Sequence, residues 1–444
     1  MGGECLGVCE QLVGHDEIGV VVDDVEQVQQ GSGLAFRFGR EVAEQGEEVV
    51  SPPRPRADPN VVHDHSRTVP AHPTTCARET SPMRAAIAQT NTLRVADTVD
   101  PVAGAGDALV RVKACGICGS DLHALQHGQR MVEQAAEAGL PLTFDPNRDF
   151  IMGHEFSAEV RELGPDTAGA PVAVGDLVTS IPIALTASGI EPIGAYSNSY
   201  GGGYADLMRL SAALCLKVPN GLDARRAALT EPMAVGRHAV GRAHLQPADT
   251  AIVLGCGPVG LAVIADLRRR NVATIVATDF SRRRRETAVA MGASEVVDPR
   301  EEPAIDAWRR VTGGLKAVVI FEAIGVPGLL DQAMKAAPPQ SRIVVVGVCM
   351  EADRLHPFIG ISKELNLQFV LGYDPLEFMS TLQSIAEGEI DVTPMVTGRC
   401  GIDGVPAAFD ALADPDEHVK ILVEPGGPAL LEPLTLDAPG FAPI

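Results

Sequence analysis

Aromatic residues are scarce: the 444-residue chain has one tryptophan and four tyrosines, which offers no platform for stacking nucleic-acid bases. Cations are also outnumbered, with 36 Lys and Arg against 58 Asp and Glu and a formal charge of −22. That balance argues against nonspecific binding to nucleic acid or anionic membranes, where clustered Lys and Arg must neutralise phosphates. No apolar run reaches the ~18 residues expected of a membrane-spanning helix. The first thirty residues lack the basic stretch that opens a secretory signal. Nine cysteines, odd in number and without framework spacing, point to reduced thiols and a cytoplasmic location. Apolar residues, by contrast, make up 45% of the chain, and this length calls for two cores.

Residues 1–82 differ in character from the rest of the chain. They are acidic at first and then rich in Pro and His, from Ser51-Pro52-Pro53-Arg54 past His63, His65 and His72 to Ser81-Pro82. Such a composition suits a disordered leader, and the three histidines read as solvated linker residues rather than a metal tract. The pattern changes at Met83, which is expected to be the natural start, with a translated leader or mis-assigned start upstream; the rival is a genuine appended segment. From Met83 to about Thr230, short strands and glycine turns predict an irregular β-rich domain, followed by a helix over 232–243. Four β-branched runs, at 251–254, 274–278, 317–321 and 342–346, mark strands buried on both faces of a parallel sheet. Helical stretches between them predict a doubly wound α/β domain over 231–374. The tail over 426–444 is Pro-rich and expected to be loose.

Two constellations carry chemistry. One is Gly255-Cys256-Gly257-Pro258-Val259-Gly260 between a strand and a helix. Gly255 permits the tight turn, Gly257 lets backbone approach a pyrophosphate, and Gly260 allows close helix–strand packing. Asp279 ends the next strand, where a carboxylate binds ribose hydroxyls and repels a 2′-phosphate, so NAD is favoured. The run Arg282 to Arg285 argues for NADP and reads otherwise as a solvated helix turn. The second constellation is Cys115-Gly116-Ile117-Cys118-Gly119-Ser120-Asp121-Leu122-His123, followed by Gly153-His154-Glu155 and by Thr230-Glu231-Pro232. Thiolate, imidazole and carboxylate are ligand types of an open catalytic zinc site. Cys115 has no thioredoxin-like context and reads as an inert buried thiol.

These residues resemble those of the medium-chain, zinc-dependent alcohol dehydrogenases, in the sorbitol/threonine dehydrogenase-like branch, over about residues 83 to 425. The resemblance implies a GroES-like catalytic domain over 83–230, with 375–425 returning to it, and a Rossmann domain that binds NAD. It makes Cys118 and His154 zinc ligands and leaves the third open between Glu155, taken first, and Glu231, an exchangeable ligand or the group binding the metal's water. It further implies that Asp121 orients a ligand, that Ser120 touches the substrate oxygen, and that His123 passes the proton on. Arg284 is implied to contact the adenosine ribose, and Val346-Gly347-Val348 to meet the nicotinamide carboxamide. Members often carry a structural zinc on four cysteines, but residues 180–203 contain none, so one catalytic zinc is expected.

The implied activity is hydride transfer between NAD and a small alcohol by a homo-oligomer, dimer or tetramer. The stretch over 126–148 is longer than usual for the family, contains a short amphipathic pattern over 131–138, and is expected to wall the substrate pocket. A neutral alcohol or diol is the expected substrate. The competing readings are a zinc-free enone or quinone reductase and a non-catalytic dinucleotide-binding relative; Cys118 with His154, and the retention of Ser120, argue against them.

Overall fold

The computed structural model describes residues 82–434, apart from Pro141, Thr143 and Leu315. The expected leader, its histidines and the last ten residues lie outside the described residues. Strand β1 (Met83–Gln89) pairs with β2 (Thr92–Thr98) and β4 (Phe150–Ile151). Strand β3 (Asp107–Gly116) is the spine of a larger sheet, flanked by β5 (Glu155–Leu163) and β9 (Leu207–Ser211). The sheet continues outward through β6 (Leu177–Ser180) and β10 (Cys215–Lys217), while β7 (Ile183–Thr186) and β8 (Gly189–Pro192) form a separate hairpin. Alternate residues of β3 (Ala108, Val110, Val112, Ala114) are fully or almost fully buried in the core of this half, the period-2 pattern of a sheet with one face inward.

A six-stranded sheet comes next, all parallel: β11 (Thr250–Leu254), β12 (Ile275–Thr278), β13 (Glu295–Val297), β14 (Val318–Glu322), β15 (Arg342–Val345) and β16 (Asn366–Phe369). Their order, β13-β12-β11-β14-β15-β16, is the doubly wound order that places a ligand crevice at the carboxyl ends where β11 meets β14. The four β-branched runs supply β11, β12, β14 and β15. Strand β13 is too short and β16 too exposed to have produced such runs.

The chain then returns to the first sheet. Helix Pro375–Ala386 packs against helix Thr230–Arg242, where the buried Arg237 donates to Ser384 at 2.9 Å. Strands β17 (Val396–Cys400) and β18 (Lys420–Val423) extend the β3 sheet, with Leu422 opposite Gly116. Strand β19 (Glu432–Pro433) pairs with β17, so the start of the tail expected to be loose is tied to the sheet. The helical pattern at 131–138 belongs to a longer helix, Gly119–Glu137, with a kink at His127 (φ −130°, ψ 20°). No helix among the described residues is long and apolar enough to cross a membrane.

Candidate active site

Cys118 lies at the N-cap of helix Gly119–Glu137, and the Asp121 carboxylate turns back to accept from its backbone N–H at 3.0 Å. This is half of a capping box, and it fixes the turn that presents the thiol. Gly153 enters β5 at φ +102°, and a Cβ there would lie 2.8 Å from both Cys115 Sγ and Tyr204 Cδ1. Only glycine meets both the left-handed backbone and that crowding. The β3–β5 register then sets Glu155 opposite Gly116.

One ligand atom each from Cys118, His154 and Glu155 lie within 4.8 Å of one another. His154 turns Nε2 to Ser120 Oγ at 3.3 Å and Nδ1 to Asp121 Oδ1 at 3.3 Å. The latter contact is close but lacks hydrogen-bond alignment, since both atoms are without a partner. Burial opposes a proton on His154, yet Asp121 and Cys118 together outweigh it and raise the imidazole well above its ordinary value. Cys115 is fully buried, and burial pushes its thiol well up, as an inert cysteine requires.

Lys420 is a component the sequence reading missed. It is fully buried, and its Nζ donates to both Glu155 oxygens at 2.7 Å and to Ile117 O at 2.8 Å. Burial lowers its pKa, but Glu155 and then Cys118 outweigh that and hold the ammonium charged. Its signal was a lysine inside the apolar run Val419 to Val423. Glu231, in the first turn of helix Thr230–Arg242, accepts from Tyr373 Oη at 2.9 Å and is not part of the three-residue cluster. Loss of hydration, partly opposed by His154, pushes its carboxyl up to about 7. Tyr373, Tyr196 and Tyr204 were also missed. Tyr196 Oη reaches Ser120 O at 3.5 Å and Tyr204 Oη reaches Asp121 Oδ2 at 2.6 Å, so three of the four tyrosines converge here.

His123 is half-buried on the same helix as Ser120, and burial followed by the nearby His127 lowers its pKa. The Gly119–Glu137 helix also reaches the other half of the molecule, where Gln134 donates to Met350 O at 3.0 Å. In the cysteine-free segment, Asn198 accepts from Asp145 N at 2.8 Å and donates to Asp145 O at 3.0 Å. A cavity of about 530 Å³ beside β1 and the Ser197–Gly201 turn contains none of the metal-cluster residues.

At the second constellation, Gly255 has φ +93° and Gly257 caps the helix that begins at Pro258-Val259. A Cβ on Gly260 would collide with the Gly255 carbonyl, whereas one on Gly257 would meet only Arg284 Nη1 at 4.0 Å. The open side of the turn is thus at Gly257, where N–H groups and helix dipole suit a pyrophosphate. Asp279 accepts from Cys256 N at 2.9 Å and Ser281 N at 2.8 Å. The arginine run divides. Arg282 is exposed and pairs with Glu286, Arg285 donates to Asp279 O at 2.7 Å and Phe280 O at 2.9 Å, and Arg284 faces Asp279 at 4.0 Å. Val346 N and Gly347 N bond to Glu322 O at 2.8 and 2.9 Å, while Val348 is half-exposed beyond them.

Among the described residues, the buried side-chain polar atoms without a partner are Asp121 Oδ1, His154 Nδ1, Thr278 Oγ1 and Arg284 Nε. All four lie at these two constellations. Buried polar groups left unsatisfied are rare and call for a bound group or a functional reason, and the Cys, His and carboxylate donors match zinc.

Two family models match the chain: "Alcohol dehydrogenase GroES-like domain" over residues 104–220 and "Zinc-binding dehydrogenase" over residues 258–387. (R,R)-butanediol dehydrogenase of Bacillus subtilis (strain 168) is 33% identical over 346 residues, 75% of this chain and 96% of that protein. Sorbitol dehydrogenase of the same strain is 28% identical over 334 residues, 72% of this chain and 90% of that protein. The X-ray structure of 2R,3R-butanediol dehydrogenase from Bacillus subtilis superposes with a TM-score of 0.68 at 31% identity, covering 78% of this chain and all of that one.

Proposed function

Since the chain belongs to the zinc-dependent medium-chain alcohol dehydrogenases, we propose that it oxidises a neutral secondary alcohol or vicinal diol to the ketone with NAD. The observation that carries this reading is the convergence of Cys118, His154 and Glu155, combined with relatives that act on butanediol and sorbitol. Those three residues hold the metal, and Glu155 is the third ligand. Glu231 stays on Tyr373, within reach of the metal's water. Zinc held there would supply a Lewis acid that makes a bound alcohol easier to deprotonate, and NAD held at the glycine turn would supply the hydride acceptor. Ser120, whose Oγ lies 3.3 Å from His154 Nε2, takes the hydroxyl proton as it passes its own on. His123, three positions along the helix and with its pKa lowered by burial and then by His127, carries it toward solvent.

Gly257 seats the pyrophosphate on a turn that Gly255 and Gly260 shape, Asp279 and Arg284 the adenosine ribose, and Val346 to Val348 the nicotinamide. The domain limits at residues 83, 230 and 374 belong to the same reading. The protein assembles as a homo-oligomer. Strand β16 ends its sheet with an open edge, and Phe358, Ile361, Phe369 and Leu371 around it are exposed. A second copy offers the same edge for two-fold pairing. The free thiols suit a cytoplasmic location. The test is metal analysis of the purified protein with NADH absorbance across butanediols, sorbitol and simple alcohols. Stoichiometric zinc and turnover of a diol are expected; a metal-free protein, or one that reduces NAD with no alcohol, overturns the reading.

A further inference from the structure

The geometry points to Tyr204 as a positioning residue for the metal site, acting through Asp121 to aim His154. Its ring is fully buried against Gly153, edge-on to Phe409 at 6.0 Å. Its hydroxyl lies 2.6 Å from Asp121 Oδ2 and 3.2 Å from Gly116 O. A phenol has one proton to give, and the shorter contact, to the charged acceptor, has the length of a strong O–H···O⁻ bond. Burial, then the Asp121 charge, keeps that proton on the phenol.

The consequence lies on the other side of the carboxylate. Oδ2 receives two donors, Tyr204 Oη and Cys118 N at 3.0 Å. Oδ1 receives none and faces the partnerless Nδ1 of His154 at 3.3 Å. With one oxygen held from two directions, the carboxylate cannot rotate, and only Oδ1 is offered to the imidazole. A proton on Nδ1 is thereby favoured, which leaves the Nε2 lone pair available to a metal. Partners of this kind, one step behind a ligating histidine, fix its tautomer and ring angle and change metal affinity about 10–100-fold when removed. Tyr204 stands one step further back, so the expected effect is at the lower end. Asp121 is also held by the Cys118 backbone, and Tyr204 is the side chain that completes its clamp.

The inference rests on the zinc site proposed above, and the experiment separates the two. Zinc is removed from full-length wild type, Tyr204→Phe, Asp121→Asn, the double variant and Phe409→Leu, and zinc Kd is measured at fixed pH by competition with a chromophoric chelator. Cobalt(II) spectra are recorded in parallel. Wild type that binds no zinc would overturn the site itself. With zinc bound by wild type, Tyr204→Phe is expected to raise Kd about 10-fold and shift the cobalt bands. The double variant should be within about twofold of Asp121→Asn, because both changes act through one carboxylate. Phe409→Leu alters packing around the ring but not the hydroxyl and should leave Kd unchanged. An unchanged Kd in Tyr204→Phe, or full additivity in the double variant, overturns the inference. Should Tyr204→Phe not fold, an unchanged Kd in Asp121→Asn, which keeps the tyrosine, overturns it equally.

Discussion

The proposed dinucleotide cradle lies largely between Gly255 and Arg284 and is mostly backbone: a left-handed glycine, a helix N-terminus and a carboxylate that braces the turn through Cys256 N. The proposed metal site and its surroundings draw on Cys118, His154, Glu155, Tyr204, Glu231, Tyr373 and Lys420, and most of their contacts are between side chains. The first is built to bind by shape and aligned amides, so its charged residues should be adjustable. The second holds Glu155 and Lys420 fully buried together, where an uncompensated charge is expensive. Substitutions should therefore act abruptly in one region and gradually in the other.

The sharpest break is expected from His154→Ala. Loss of a ligand whose metal contributes several kcal/mol of charge stabilisation should lower kcat by at least ~10³-fold. NADH affinity, read by fluorescence titration, should stay within about twofold. A zinc-free His154→Ala protein with normal turnover would show that the cluster is not the catalytic centre.

Next in size is Lys420→Met, which keeps most of the volume but leaves Glu155 without its counter-charge. Removing one partner of a buried pair costs ~3–5 kcal/mol. Denaturant unfolding of the zinc-stripped variant should show that loss, and added zinc should recover part of it, because the metal supplies the missing positive charge. Equal stability of variant and wild type without zinc would mean that Lys420 does not compensate Glu155.

The two regions also differ in how far they were legible. The glycine turn, its strand, its helix and Asp279 are contiguous, and each has a local signature that sequence spacing preserves. At the proposed metal site the candidate ligands could be picked out because Cys118 and His154–Glu155 sit in short recognisable contexts. Lys420 was not, since only the β18–β3 pairing brings it within reach of Glu155. The tyrosines were noted for their scarcity, while the informative fact was that Tyr196, Tyr200 and Tyr204 fall within one short segment. The kinked helix Gly119–Glu137 was anticipated only over its second half. Its first half doubles as the turn proposed to bind the metal, where Cys118, Gly119 and Ser120 obscure the helical period.

Asp279→Ser tests the adjustable side of the comparison. The serine keeps a hydrogen-bonding group near Cys256 N and Ser281 N but removes the negative charge that would repel a 2′-phosphate. Loss of a charged hydrogen bond is worth roughly 1.5–3 kcal/mol, so kcat/KM for NAD relative to NADP should fall about 10-fold or more. Wild type that already prefers NADP would contradict the weight given to Asp279.

The smallest expected effect decides how the arginine run is divided. Arg282 is 84% exposed and meets only Glu286 one helical turn away, a pair of a class worth ~0.3–0.5 kcal/mol. Arg282→Ala should therefore change neither the melting temperature by more than a degree or two nor the KM for NAD. Arg284, in the same first turn, has a buried, partnerless Nε and points Nη1 at the open side of Gly257. Arg284→Ala should raise the KM for NAD several-fold at nearly constant kcat, since it removes binding made equally in ground and transition states. If both substitutions raised KM equally, the run would act as a diffuse field of positive charge. Raising the ionic strength would then weaken NAD binding as much as either mutation does. A response confined to Arg284 and insensitive to salt would mean that its position over the turn, not the charge of the run, gives it its role.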